Sequence, residues 1–176
     1  IKIHTGKIDR TIQLLKDSIH EQEHLKVYLA DSTTGKYDII LHLCADSLEV
    51  LYQFVTGVVH MIEGIEETST QIVLKEYSVN VEKTATAQIK GIRAYVFMKV
   101  KVGEVINILE QTHSYMERNS GLGIKSISCV TGTFDFIIHL DEQDVSSIFS
   151  FVAEKLHKIP GVKNTETHIV AKPISE

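Results

Sequence analysis

The chain contains a long copy of itself. Residues 34–77 superpose on residues 131–174 at a constant offset of 97 without a gap, with 16 identities in 44 positions. Identical pairs include Gly35 with Gly132, Asp38 with Asp135, His42 with His139, His60 with His157 and Gly64 with Gly161. The same offset lays "IHTGKIDRTI" on "VKVGEVINIL", so the repeat begins well upstream. Repetition of this kind governs the whole fold. Two copies make two domains, which 176 residues accommodate, since lone domains of about 80 residues are viable. Residues 1–77 form the first and 91–176 the second. Residues 78–90, "SVNVEKTATAQIK", have no earlier counterpart and read as a linker or an edge strand. Ile1 aligns with Met98 and nothing matches residues 92–97, so the first copy lacks most of its opening strand and further residues are expected upstream.

Within a copy the apolar period switches between strand and helix. "IRAYVFMKVKV", rich in β-branched and aromatic residues, reads as a strand. Ile8, Ile12, Leu15 and Ile19, like Val105, Ile108 and Leu109, then recur at helical spacing. "HLKVYLAD" and "YDIILHL", or "IKSISCV" and "FDFIIHL", flank a Thr-Gly turn and read as a hairpin. Leu48, Leu51, Val55 and Val59, matched by Val145, Ile148, Val152 and Leu156, give a second amphipathic helix. It starts at an Asp/Ser cap and ends at Glu63-Gly64 or Pro160-Gly161. "TQIVLKEY" and "THIVAKPI" supply closing strands.

Strand, helix, strand, strand, helix, strand is the ferredoxin-like βαββαβ unit, an α+β class fold. Its helices cover one sheet face. Tyr37, Ile39, Leu41 and Leu43 should meet them, while Asp38, Ile40 and His42 point toward a partner sheet. The expected architecture is two such domains paired sheet to sheet, as in dimeric α+β barrels.

With 43% hydrophobic residues and two prolines, the chain should be ordered throughout. Net charge is −5, with 7 basic against 12 acidic residues in 1–77 and 11 against 11 in 78–176. Neither half offers the basic surface that phosphate backbones need, which argues against direct nucleic-acid binding. Cys44 and Cys129 occupy unmatched places in the repeat, so a reducing, cytoplasmic setting is expected and no disulfide framework or zinc knuckle. No apolar run reaches the roughly 18 residues of a membrane span, and no signal segment opens the chain.

The phrase "VTGTFDFIIHLDEQDVSSIFSFVAEKLHKIPGVKNTETHIVAKPI", with its preceding strand and helix, resembles the effector-binding (RAM) domain of the Lrp/AsnC regulators. The resemblance rests on V-T-G-x-aromatic-D, K-I-P-G-V and T-x-T-x-I-V at these spacings; the first copy follows less strictly, with Glu63 for Pro160 and Ser69 for Glu166. It implies sheet-to-sheet pairing, assembly into rings, and small effectors, typically amino acids, held between domains. It also implies a helix-turn-helix DNA reader, which these residues do not contain. A homo-oligomer and a regulator partner are therefore expected, without a cofactor and without catalysis.

The resemblance assigns the effector pocket to the turn Thr131, Gly132, Phe134 and Asp135 with Thr165 and Thr167, and in the first copy to Thr34, Gly35, Tyr37 and Asp38 with Thr68 and Thr70. The chemistry suits a zwitterion. Glycine N–H groups and Thr hydroxyls are donors for a carboxylate, and Asp is the partner of an ammonium. The alternative is structural: Gly supplies a positive φ, Asp bonds the turn, and strand Thr reflects β propensity.

His42 and His139 lie on the Asp38/Asp135 strand face, about 13 Å along it, and read as sheet-interface residues. His60 and His157 read as cations at a helix C-terminus. His20-Glu21-Gln22-Glu23-His24 matches the zinc-protease pattern H-E-x-x-H, yet the second copy has "ERNSG" there and no third ligand is evident. Two further readings stand beside effector sensing: a structural assembly module with vestigial pockets, and an enzyme on the dimeric α+β barrel, an architecture that also hosts small oxygenases and haem-degrading enzymes. The repeated histidines are the candidates for that last chemistry.

Overall fold

Each copy folds in the expected order, in a computed structural model that describes residues 1–19, 22–78, 91–118 and 123–174. The first contributes β1 (Lys2–Ile3), α1 (Ile8–Ile19), β2 (Leu25–Thr33), β3 (Ile39–Ala45), α2 (Leu48–Gln53), β4 (Ile65–Glu67) and β5 (Val73–Ser78). The second contributes β6 (Ile92–Val100), α3 (Val105–Arg118), β7 (Ile124–Val130), β8 (Phe136–Glu142), α4 (Val145–Glu154) and β9 (Val162–Pro173). Of the segment expected as linker or edge strand, Ser78 ends β5 and residues 79–90 lie outside the described residues.

The second helices start as their sequences dictate. The Ser47 hydroxyl accepts the Val50 N–H, and the Asp144 carboxylate accepts the Ser147 N–H. That backbone bond holds the Asp144 carboxyl below the ordinary carboxylate range. They continue differently. α4 is regular for ten residues, whereas α2 gives way to a π-helical turn, Phe54–Val58, and a 3-10 turn, Val59–Met61. Where α4 has Ala153 and Glu154, the first copy has Thr56 and Gly57, and the Thr56 hydroxyl donates to the Tyr52 carbonyl at 2.8 Å. Such a back-bond competes with the helical ladder, and glycine costs a helix about 1 kcal/mol relative to alanine.

Contacts divide the chain into two compact units, residues 1–69 with 170–176, and residues 70–169. They differ from the sequence repeats by an exchange of closing strands. In the second unit the order is β9-β6-β8-β7-β5: a complete ferredoxin-like sheet of the second copy, with β5 of the first copy paired along β7 from Val73↔Val130 to Ser78↔Ser126. In the first unit β4 pairs with β1, the Ile1 carbonyl accepts the N–H groups of Asp38 and Ile39, β3 pairs with β2, and the end of β9 pairs with β2 at Asp31↔Pro173 and Thr33↔Val170. Each added strand satisfies a hairpin edge that would otherwise present unpaired backbone groups.

The second unit's core lies between sheet and helices. Ala94, Val96 and Met98 of β6 and Phe136, Ile138 and Leu140 of β8 are fully buried against Ile108 of α3 and Ile148 of α4. The alternate residues of β6 face away from the helices and are buried as well. Tyr95 stacks on His139 with ring centroids 4.9 Å apart, and Phe97 meets Phe134 at 5.2 Å and His168 at 5.0 Å. Burial on both faces explains why residues 92–100 read as a nearly continuous apolar run. In the first unit Ile39, Leu41 and Leu43 join the helix-side clusters, as alternation requires, while Tyr37 is buried outside them.

Candidate functional site

The repeated phrase Thr-Gly-x-aromatic-Asp builds one device twice. Gly35 and Gly132 carry φ of 113° and 112°, a conformation that favours glycine. A Cβ on Gly132 would lie 3.5 Å from the Gln71 Cγ, an ordinary contact, so backbone conformation and not space demands the glycine. Two residues on from each x position, the carboxylate turns inward. Asp135 Oδ2 accepts the Val100 N–H at 2.8 Å, and Asp38 Oδ2 accepts the Ile3 N–H at 2.7 Å. The Asp135 N–H donates to the Met98 carbonyl at 3.0 Å, so this residue fastens the β7–β8 hairpin to the end of β6. Lys99 Nζ reaches Asp135 Oδ1 at 3.1 Å, whereas the equivalent Lys2 pairs with Glu66 at 3.2 Å.

The other members of the phrase are similarly engaged. Phe134 and Tyr37 are buried. The Thr131 hydroxyl accepts the Ile72 N–H at 3.2 Å, and the Thr131 N–H donates to the Ile72 carbonyl at 3.0 Å. In the first copy the hydroxyl of Thr33, one residue before the exposed Thr34, donates to the Tyr37 carbonyl at 2.8 Å. Thr33, Lys99 and Ile72 were not singled out by the sequence. Ile72 reaches the turn only through the strand exchange, which repeat spacing does not reveal.

Thr165 of β9 and Thr68, the residue after β4, each meet a histidine. His157 Nε2 is 2.8 Å from Thr165 Oγ1, and His60 Nε2 is 2.7 Å from Thr68 Oγ1. These imidazoles do lie in the 3-10 turns Leu156–Lys158 and Val59–Met61 that follow the second helices, and their hydrogen bonds go to Thr165 and Thr68. Thr165 is opposite Met98 and Thr167 opposite Val96, so both share the helix-side face of β9. Asp135 precedes the helix-side Phe136 and pairs with Lys99, which alternates with the helix-side Met98 and Val100, so it belongs to the opposite face. Within the second unit, the Thr pair and the Asp turn therefore occupy different faces. The single rim expected from sequence is not assembled there. Thr68 lies in the first unit and Thr70, exposed, in the second.

His20 and Glu21 of the H-E-x-x-H match lie outside the described residues. His24 Nδ1 is 3.0 Å from Asp46 Oδ2 in an exposed pair. Among the described residues no three His, Cys, Asp or Glu side chains converge to hold a metal ion, and no helix is long and apolar enough to cross a membrane. Cys44 is exposed and Cys129 buried, neither in a disulfide. Burial, with the Asp135 charge adding, pushes the Cys129 thiol up and keeps it protonated.

The chain matches the Lrp/AsnC ligand binding domain over residues 11–82 and 123–176, one segment in each copy. Among curated proteins no sequence matches it. A putative monooxygenase from Fusobacterium nucleatum is 10% identical, covering 98% of this chain and 88% of its own, with a TM-score of 0.60. A monooxygenase-like protein from Listeria innocua is 14% identical over 97% and 91% of the two chains, with a TM-score of 0.48. A Neisseria meningitidis transcriptional regulator solved with L-Met is 15% identical over 71% and 68%, with a TM-score of 0.41. The first likeness shows a shared α+β fold; the other two are too distant to add to it. With more than half of its residues inside the sequence match, the chain belongs to the Lrp/AsnC ligand-binding domain family.

Proposed function

We propose that the chain is a non-catalytic regulatory module that binds an amino acid or a related small zwitterion and acts through self-association or a partner regulator. The observation that carries this reading is the duplicated histidine–threonine pair, His60 with Thr68 and His157 with Thr165, in a chain whose family binds ligands. Both histidines are exposed, and in the second copy a further threonine, Thr167, follows Thr165 by two residues on the same face of β9. An imidazole beside a threonine hydroxyl is a donor set for a carboxylate. The two unpaired cysteines suit a reducing, cytoplasmic compartment.

Calorimetry of the whole chain against the twenty amino acids tests it. At least one should bind, and Thr165→Val with Thr167→Ala should weaken that binding tenfold or more. Absence of any binder among amino acids and close metabolites would refute sensing. A second reading, an assembly module with vestigial pockets, draws on the turn: the polar groups of Thr131 and Asp135 are engaged within the chain's own framework. It requires oligomers whose mass and melting temperature ignore every small molecule.

A further inference from the structure

An open cleft of about 280 Å³ runs between α3 and the end of α4, wholly within the second unit. None of the turn or strand residues of the proposed effector site lines it. Its apolar wall is made by Tyr115, Phe151 and Ile159, with the Tyr115 and Phe151 rings 6.0 Å apart, and its charged rim by Glu154, Lys155 and Lys158. Among the described residues these three charged side chains make no ion pair with one another or with a neighbour.

The internal repeat shows that the fold does not require those charges. At offset 97, Phe151 and Ile159 correspond to Phe54 and Ile62, so the apolar base is retained. Glu154, Lys155 and Lys158 correspond to Gly57, Val58 and Met61, and Tyr115 to Ser18. The first copy closes the same corner without a single charge from that set. Two lysines against one glutamate leave a net positive rim over an aromatic wall. Such a site pairs with a carboxylate through the ammonium groups and packs a flat apolar body against the rings. Burial, with the Glu142 charge adding, pushes the Tyr115 phenol up and keeps it protonated. The volume falls just short of the roughly 300–1,000 Å³ of small-molecule pockets, which limits the ligand to a small one.

We propose that this cleft is a second ligand site, specific to the second copy, for a small carboxylate with an apolar, preferably aromatic, body. A free amino acid is the member of that class whose ammonium would also meet Glu154; a plain organic acid would use the lysines alone. Amide NMR of the isotopically labelled full chain, titrated in separate arms with phenylacetate and L-phenylalanine, tests it. Saturable shifts centred on Tyr115, Lys155 and Ile159 are expected in at least one arm. The exchange Lys155→Val with Lys158→Met, which installs the first copy's residues at exposed positions, should weaken binding at least tenfold. If L-phenylalanine binds more tightly and Glu154→Gln removes the difference, the amino acid is the favoured source; if phenylacetate binds as well, a plain acid is. No saturable shift at these amides with either probe into the millimolar range, or equal affinity in the double variant, overturns the proposal.

Discussion

Replacing Asp135 tests what the repeated turn is for. Its carboxylate accepts the Val100 N–H at 2.8 Å, and Val100 is buried, so Asp135→Ala leaves a strand-end donor without its partner. A hydrogen bond to a charged group contributes about 1.5–3 kcal/mol. The Lys99 pair at 3.1 Å is partly exposed and adds less than about 1 kcal/mol. The expected loss is about 2–3 kcal/mol, a fall in melting temperature of roughly 5–10 °C for a chain of this size. Asp135→Asn keeps an oxygen acceptor and should lose only about 1 kcal/mol. Asp38→Ala should cost less than Asp135→Ala, because the Lys2 counterpart of Lys99 already pairs with Glu66. Urea unfolding of the three variants gives these values directly. A stability within about 0.5 kcal/mol of wild type for Asp135→Ala, together with lost ligand binding, would show that the carboxylate grips a ligand and not the β6 backbone.

Gly132→Ala should cost about 1–2 kcal/mol from backbone conformation alone; Gly161→Ala should cost more, because the new Cβ would also approach the Glu104 Cγ to 2.9 Å and the Ile108 Cδ1 to 3.1 Å, and paired urea titrations order the two. Replacing Thr56-Gly57 with the Ala-Glu of the second copy should convert the π-helical turn to regular helix and stabilise the chain by up to about 1 kcal/mol, seen as increased helical circular dichroism with a raised urea midpoint. Asp144 has a lowered carboxyl pKa in the folded state, so its stabilising contribution is complete above the unfolded value near 3.9 and is lost as pH falls through the folded one. Thermal unfolding between about pH 5 and 2 should therefore show a shallower acid limb for Asp144→Ala than for wild type.

Element order, core faces and the glycines at 132 and 161 were legible in the sequence because each leaves a local mark. Alternation correctly placed Ile39, Leu41 and Leu43 on the helix-side face, though not Tyr37, and the Asp/Ser caps marked the second helices. The exchange of β5 onto β7 left no such mark. Strand pairing is decided by nonlocal edges, and Val73–Ser78 would read the same beside either copy. The π-helical turn was hidden for a related reason: Gly57 and Thr56 weaken a helix, but only packing decides how the chain yields. The candidate pocket was the least legible part. The resemblance assigned Thr165, Thr167 and Asp135 to one pocket, while strand register put the threonines on the helix-side face and the carboxylate on the other.

The claim that this family member senses a small zwitterion is tested most directly by thermal unfolding of the full chain in the presence of each of the twenty amino acids. A ligand at a hundred times its Kd stabilises the folded state by about 2.7 kcal/mol. For a chain of this length, at least one amino acid should raise the melting temperature by roughly 5–10 °C, and Thr165→Val with Thr167→Ala should reduce that rise. Melting temperatures unchanged by all twenty would contradict the account.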